Sequence, residues 1–167
     1  MKRPPATPGI RLLKEQGISF TPHEYAYSER GGAPDAAVKL GLDPNLVIKT
    51  LVFETQDRVP FLVLMHGDRS VSAKGLARIL GLKSVTPCAP KDAERHTGYQ
   101  VGGISPFGTR RKMQVYVQAS VMDLPVMYIN GGRRGLLLEI APPDMQKVLN
   151  ATVVEATAEE PAARASG

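Results

Sequence analysis

Between Gly98 and Gly108 the chain reads GYQVGGISPFG, which puts four glycines, a proline and a serine into eleven residues. A Gly-Gly pair followed by Ile-Ser-Pro makes a poor helix and a poor strand interior. The stretch therefore has to be a shaped loop, and the ordered segments on either side must accommodate it. Glycine lets backbone amides approach a ligand closely, and proline stiffens the residues after it. Two readings are open. One is a ring of backbone N–H donors around a phosphate or a carbonyl becoming an oxyanion; the other is an ordinary tight turn.

With 167 residues, one domain is expected, over residues 7–157, with 1–6 and 158–167 as disordered tails. Tryptophan is absent and aromatics make up 5%, so the core has to be aliphatic. No run approaches the roughly 18 to 20 apolar residues of a membrane span. The basic N-terminus has no apolar segment behind it and does not read as a secretory signal. Cys88 is the single cysteine, which excludes an internal disulfide and fits a reducing cytoplasm. The net charge of +5 suits a polyanionic partner.

Along the chain, Thr7-Pro8 caps a helix that Gly17 ends. Ile18 to Tyr27 reads as an extended edge segment, and Ser28 to Pro34 as a loop. Asp35 to Leu40 reads as a short helix. Val47–Glu54 and Arg58–His66 read as antiparallel strands across a Thr-Gln-Asp turn. Ser72 caps a helix to Leu80, and Pro90 to His96 forms a short polar one. Further strands are expected at Ser84–Thr86, Gln114–Gln118, Val126–Asn130, Leu136–Ile140 and Thr152–Ala156, with a helix over Asp144–Leu149. About seven short strands and five short helices without βαβ alternation predict an α+β fold. Its sheet should be mixed, mainly antiparallel and curved, with helices packed outside.

Lys49 stands out. Strand alternation places it on the same face as Leu51 and Phe53. Either it snorkels at a strand end or its ammonium is held in a pocket, where it would anchor an anion. His23, His66 and His96 have no metal-ligand spacing; His23 either lines a pocket or packs. Cys88 reads as a packing residue. Neither a GxSxG elbow nor a Walker loop is present. Arg110, Arg111 and Lys112 follow the first glycine loop, and Arg133 and Arg134 lie in a second, Gly131 to Gly135. If both loops open on one cleft, its rim is basic and suits a phosphate backbone.

Together, TPGIRLLKEQGISFTPHEY, KLGLDPNLVIKTLVF, TGYQVGGISPFG and YINGGRRGLLLEIAP resemble the stand-alone bacterial YbaK/EbsC proteins over about residues 7 to 155. These are aminoacyl-tRNA deacylases related to the editing domain of bacterial prolyl-tRNA synthetase. The resemblance implies a mixed α/β domain with a barrel-like sheet, acting in the cytoplasm on a mischarged tRNA. The typical case is removal of cysteine from proline tRNA, without metal or organic cofactor. It places the motif's lysine on Lys49, the backbone donors on Gly102 and Gly103, and the tyrosine of the first strand on Tyr25. Substrate contacts fall on Ile104, Ser105, Pro106, Asn130 and Gly131. The tRNA contacts fall on Arg110, Arg111, Arg133 and Arg134, with prolyl-tRNA synthetase as an implied partner. Two positions depart from the cysteine-specific pattern: Asn130 stands where serine is usual, and Leu137 where an acid is usual.

Overall fold

The computed structural model describes residues 6–158. The first helix, α1 (Pro8–Glu15), starts where the sequence signals it. The Thr7 hydroxyl accepts from the Ile10 amide at 3.1 Å, and Pro8 fills the first turn, where no N–H is needed. A short strand comes next, β1 (Thr21–Glu24), then α2 (Gly32–Leu40). The extended segment expected over Ile18–Tyr27 contracts to four residues, and past them Tyr25 keeps one backbone bond, its amide donating to the Gly135 carbonyl at 2.9 Å. Helix α2 begins three residues before the expected Asp35. Pro34 lies in its first turn, where a proline costs nothing, and Gly41 in the left-handed region (φ 67°) closes it.

The centre of the molecule is the hairpin β2 (Val47–Thr55) and β3 (Pro60–His66), paired from Ile48↔His66 to Glu54↔Pro60. Next come α3 (Ala73–Leu80), β4 (Val85–Pro87), α4 (Pro90–Thr97), β5 (Gln114–Gln118), β6 (Met127–Asn130), β7 (Leu136–Ile140), α5 (Pro142–Leu149) and β8 (Thr152–Val154). Eight strands form one mixed sheet in the order β1-β7-β6-β2-β3-β5-β8, with β4 also on β2. Four ladders are antiparallel: β1–β7, β2–β3, β2–β4 and β6–β7. Three are parallel: β2–β6, β3–β5 and β5–β8. The expected barrel-like curvature stops short of closure, because β1 and β8 remain at opposite ends of the order.

The two-residue period of β2 divides the core. Ile48 and Val52 enter the main cluster with Leu62, Leu64, Ile129 and Leu138, which α1 and α5 cover through Leu13 and Met145. On the other face, Leu51 and Phe53 join Phe61, Val63 and Met65 under Leu76 of α3. Val47 on that same face meets Ala36 and Ala37 of α2 and Leu137 of β7. Burying a side chain such as Leu76 stabilises the fold by about 2 kcal/mol. Lys49 lies between these two apolar clusters, which decides what surrounds its ammonium.

Candidate functional site

Strand β2 shares one of its edges between two short neighbours. Its ladder with β6 covers Val47 and Ile48, and its ladder with β4 covers Phe53 to Thr55. Among the described residues, no strand lies beside the edge from Lys49 to Val52. There the Cys88 amide donates to the Val52 carbonyl at 2.9 Å. Main-chain groups alternate sides along an antiparallel ladder, so Thr50 turns its N–H and C=O the same way as Val52, into this gap. The Thr50 hydroxyl is also buried and has no hydrogen-bond partner among the described residues.

A cavity of about 510 Å³ opens at this gap, a size ordinary for a small-ligand site. Lys49, Thr50 and Leu51 form its floor. Ala33 and Ala36 of α2 line it on one side, Tyr25 and Tyr27 line another part, and the two glycine loops close it. The Lys49 ammonium donates to the Arg69 carbonyl. Burial pushes its pKa below the ordinary lysine value, with Asp68 pulling the other way. Lys49 thus lines the cavity as a half-buried residue, with its ammonium tied to the loop after β3. Burial, reinforced by Tyr27 and Asp35, holds the Tyr25 hydroxyl above its usual range, so it remains a neutral donor.

The two glycine loops meet, as a common cleft requires. The first is closed at its base, where the Arg110 and Arg111 amides donate to the Thr97 and His96 carbonyls. The Tyr99 hydroxyl fills its interior and donates to the Phe107 carbonyl. The second packs directly on it: a Cβ at Gly103 would fall 2.6 Å from the Arg134 nitrogen. Asn130 Nδ2 donates to the Gly102 carbonyl at 3.4 Å, and Arg134 Nε to the Val101 carbonyl at 2.9 Å. The start of α1 locks both, since Thr7 Oγ1 donates to the Gly131 carbonyl and Gly9 packs against Phe107 and Gly131.

Tyr25, Lys49, Gly102, Ile104, Asn130 and Arg134 thus all line one cavity. Other expected residues are placed elsewhere. The Gly103 amide donates to the Gln100 carbonyl at 2.8 Å in a tight turn, so it is not free to meet a ligand. Among the described residues, the amides of Gly102 and Ile104 make no hydrogen bond, and both residues line the cavity. Of the expected pair, Gly102 keeps an open amide, and Ile104 rather than Gly103 carries the second. Ser105 is fully buried, and its hydroxyl accepts from the Phe107 amide at 3.1 Å; Pro106 and Gly131 are buried in loop packing. Arg110 and Arg111 lie beside α4, where Arg110 packs on Gly98, and do not line the cavity. Arg133 is tied to Glu24 at 2.8 Å. Arg134 covers the Tyr27 ring, its guanidinium carbon 5.0 Å from the centroid.

Among the histidines, His23 pairs with Glu139 at 2.8 Å and meets Tyr128 edge-on, away from the cavity. His66 is buried between the Asn45 carbonyl (2.7 Å) and Ser120 (2.8 Å). Its Nδ1 donates to that carbonyl, which can only accept. Cys88 does not line the cavity. Burial, a hydrogen bond to Glu54 and the charges of Glu54 and Asp92 push its thiol up to about 12, against the opposing pull of Arg95. It packs against the main core and is no thiolate nucleophile. Sequence reading missed Tyr27, Glu29, Arg30 and Thr50 as wall residues.

The family model for the aminoacyl-tRNA editing domain matches residues 29–148. The chain belongs to this family. Its match runs from the turn over the cavity to α5, so both glycine loops and Lys49 fall inside it. Among curated relatives, this editing domain is similar to EbsC of Enterococcus faecalis, a candidate Cys-tRNA(Pro)/Cys-tRNA(Cys) deacylase. The two are 28% identical over 92% of this chain and 94% of the relative. It is also similar to a segment of the proline–tRNA ligase of Limosilactobacillus fermentum, at 28% identity over 60% of this chain but only 18% of the ligase. A solved structure of a candidate trans-editing enzyme for prolyl-tRNA synthetase superposes with a TM-score of 0.79. It is 20% identical over 93% of this chain and all of that one, a likeness of fold.

Proposed function

We propose that the editing domain removes a wrongly attached amino acid from tRNA in trans, acting on the aminoacyl ester at the tRNA's end. The observation that carries this reading is the pair of amides without a partner among the described residues, Gly102 and Ile104, in a cavity that Lys49 also lines. The ester carbonyl binds with its oxygen toward those amides, which stabilise the negative charge that develops as the carbon becomes tetrahedral. Lys49 adds positive charge on the same side. Asn130, through its hydrogen bond to Gly102, and Arg134, through its bond to Val101, hold the loop in place.

An aminoacyl ester is already activated, so orientation and oxyanion stabilisation suffice. The similarity to EbsC supports cysteine as the amino acid removed and proline tRNA as its carrier. For cysteine, the substrate's thiolate attacks its own carbonyl carbon, the ester C–O bond breaks, the tRNA oxygen takes up a proton, and a thiolactone leaves. For other amino acids, water replaces the thiol and the products are tRNA and free amino acid. Leu137, Val47 and Ala36 make the wall beside the loop apolar where an acid is usual, which favours alanine as a second reading. The similarity to part of proline–tRNA ligase supports an association with that synthetase.

A panel of radiolabelled aminoacyl-tRNAs tests this, with Cys-, Ala- and Pro-tRNA(Pro) as its centre. Clearance of the first or second well above Pro-tRNA(Pro) is expected. Recovery of thiolactone or of free amino acid separates a lyase from a hydrolase. Clearance of none above the buffer blank overturns the enzyme reading and leaves a non-catalytic tRNA-binding module.

A further inference from the structure

Glu29 is the only acid among the eighteen residues lining the cavity, which also include Arg30, Lys49 and Arg134. It makes no ion pair or hydrogen bond among the described residues, whereas Asp35, Glu24 and Glu139 are all paired. Its position is fixed by a turn. The Gly31 amide donates to the Ser28 carbonyl at 3.0 Å, so Glu29 and Arg30 form the turn's centre, and Arg30 adopts φ 63°. A non-glycine residue in that region is strained, and surrounding contacts must offset the strain. Lys39 of α2 supplies them. Its ammonium donates to the Ala26 carbonyl and the Ser28 hydroxyl and pairs with Asp35 at 2.9 Å. Glu29 thus stands at the cavity's exposed edge on an anchored turn, with no partner for its carboxylate among the described residues.

An aminoacyl-tRNA substrate supplies a counterpart. Every aminoacyl ester carries an α-amino group, and its nitrogen lies about 2.5 Å from the ester carbonyl carbon by standard covalent geometry. With the carbonyl against Gly102 and Ile104, the amino group enters a cavity whose three side-chain cations repel it. From these observations we infer that Glu29 is a positioning residue that pairs with the substrate α-ammonium and turns the ester carbonyl toward the amides. This rests on the deacylase reading, and it concerns what all aminoacyl groups share rather than the side chain that tells them apart. It also moves the acid of the cavity from β7, where Leu137 stands, to the turn before α2.

The test compares wild type with Glu29→Gln and Glu29→Asp on one aminoacyl-tRNA that the wild type clears, both as such and with its α-amine acetylated. Acetylation removes the ammonium and leaves the ester. Wild type should clear the free-amine substrate at least tenfold faster than the acetylated one. Glu29→Gln should lower kcat/KM about tenfold on the free-amine substrate only, so that the preference collapses, and Glu29→Asp should restore part of it. Glu29 is exposed, so Glu29→Gln should melt with the wild type. Unchanged kcat/KM in Glu29→Gln, or equal losses on both substrates, overturns the inference while leaving the deacylase reading intact. Failure of the wild type to clear any aminoacyl-tRNA overturns both.

Discussion

Gly102→Ala separates chemistry from folding at the centre of the proposed site. Gly102 has φ 91°, a region that side chains with a Cβ rarely adopt. The added Cβ would run into the Tyr27 hydroxyl and lie 2.9 Å from its Cζ. Tyr27 cannot simply swing aside, because Arg134 covers its ring and is itself tied to the Val101 carbonyl. To reach ordinary contact the ring or the loop has to move by about 1 Å, and the loop carries the Gly102 and Ile104 amides. Misplacing one oxyanion donor costs about 3 to 4 kcal/mol of barrier, or roughly 100- to 1,000-fold in turnover. The folding cost is smaller. Backbone strain of about 1 to 2 kcal/mol lowers Tm by roughly 2 to 8 °C for a chain of this size. Gly103→Ala is the control. Its Cβ would meet the backbone of Arg133 and Arg134 at 2.6 to 3.1 Å, and backbone yields less than a tyrosine ring. Overpacking of about 1 to 3 kcal/mol should therefore make Gly103→Ala the less stable of the two. Single-turnover deacylation and thermal unfolding, measured on the same preparations, decide the matter. Turnover within threefold of wild type in folded Gly102→Ala refutes the assignment of its amide as a donor.

Lys49→Met should lower deacylation at least tenfold, about 1.4 kcal/mol, without lowering Tm at neutral pH. The pKa of Lys49 is lowered on folding, so the unfolded chain keeps this proton to higher pH. Stability carried by Lys49 therefore rises with pH from the lowered folded value to the ordinary lysine value, and below that window the partly desolvated ammonium is a cost that methionine removes. A Tm several degrees below wild type would show the ammonium to be structural. Wild-type turnover should also decline at alkaline pH earlier than an ordinary lysine titrates, and Lys49→Arg, where active, should lack that decline. For Cys88, a thiol held at about 12 is ionised on the order of one part in ten thousand at pH 8. Iodoacetamide should label the folded chain far more slowly than the unfolded one, and Cys88→Ser should leave turnover unchanged; a deacylase lost on that substitution would place a protein nucleophile in the reaction.

How legible each feature was in the sequence depends on how far it relies on distant residues. Lys49 was readable because strand alternation is local: its face is set by Val47 and Leu51, whatever lies opposite. The capping of α1 and α3 was readable for the same reason, since Thr7 and Ser72 each bond an amide three residues on. The open amides were not. In a Gly-Gly pair either N–H can close the turn, and only the fold shows that Gly103 takes the Gln100 carbonyl and leaves Gly102 and Ile104 open. Ser105 looked available as a hydroxyl in a loop, but α1 buries it beside Gly9, a contact almost a hundred residues away in sequence. Arg110 and Arg111 come after the same loop yet leave its cavity side, because the chain turns at Gly108 (φ 67°) and returns to α4. Tyr27, Glu29 and Thr50 were hidden most deeply. Each is ordinary in its own segment and gains meaning only because β6 and β4 both stop short along β2, leaving an unpaired edge for the cavity to open on. The candidate site is thus framed by pairing that is absent among the described residues. A sequence announces strands through the residues that form them, but an interruption between two strands on a shared edge depends on where β4 and β6 end, and neither end is encoded near Thr50.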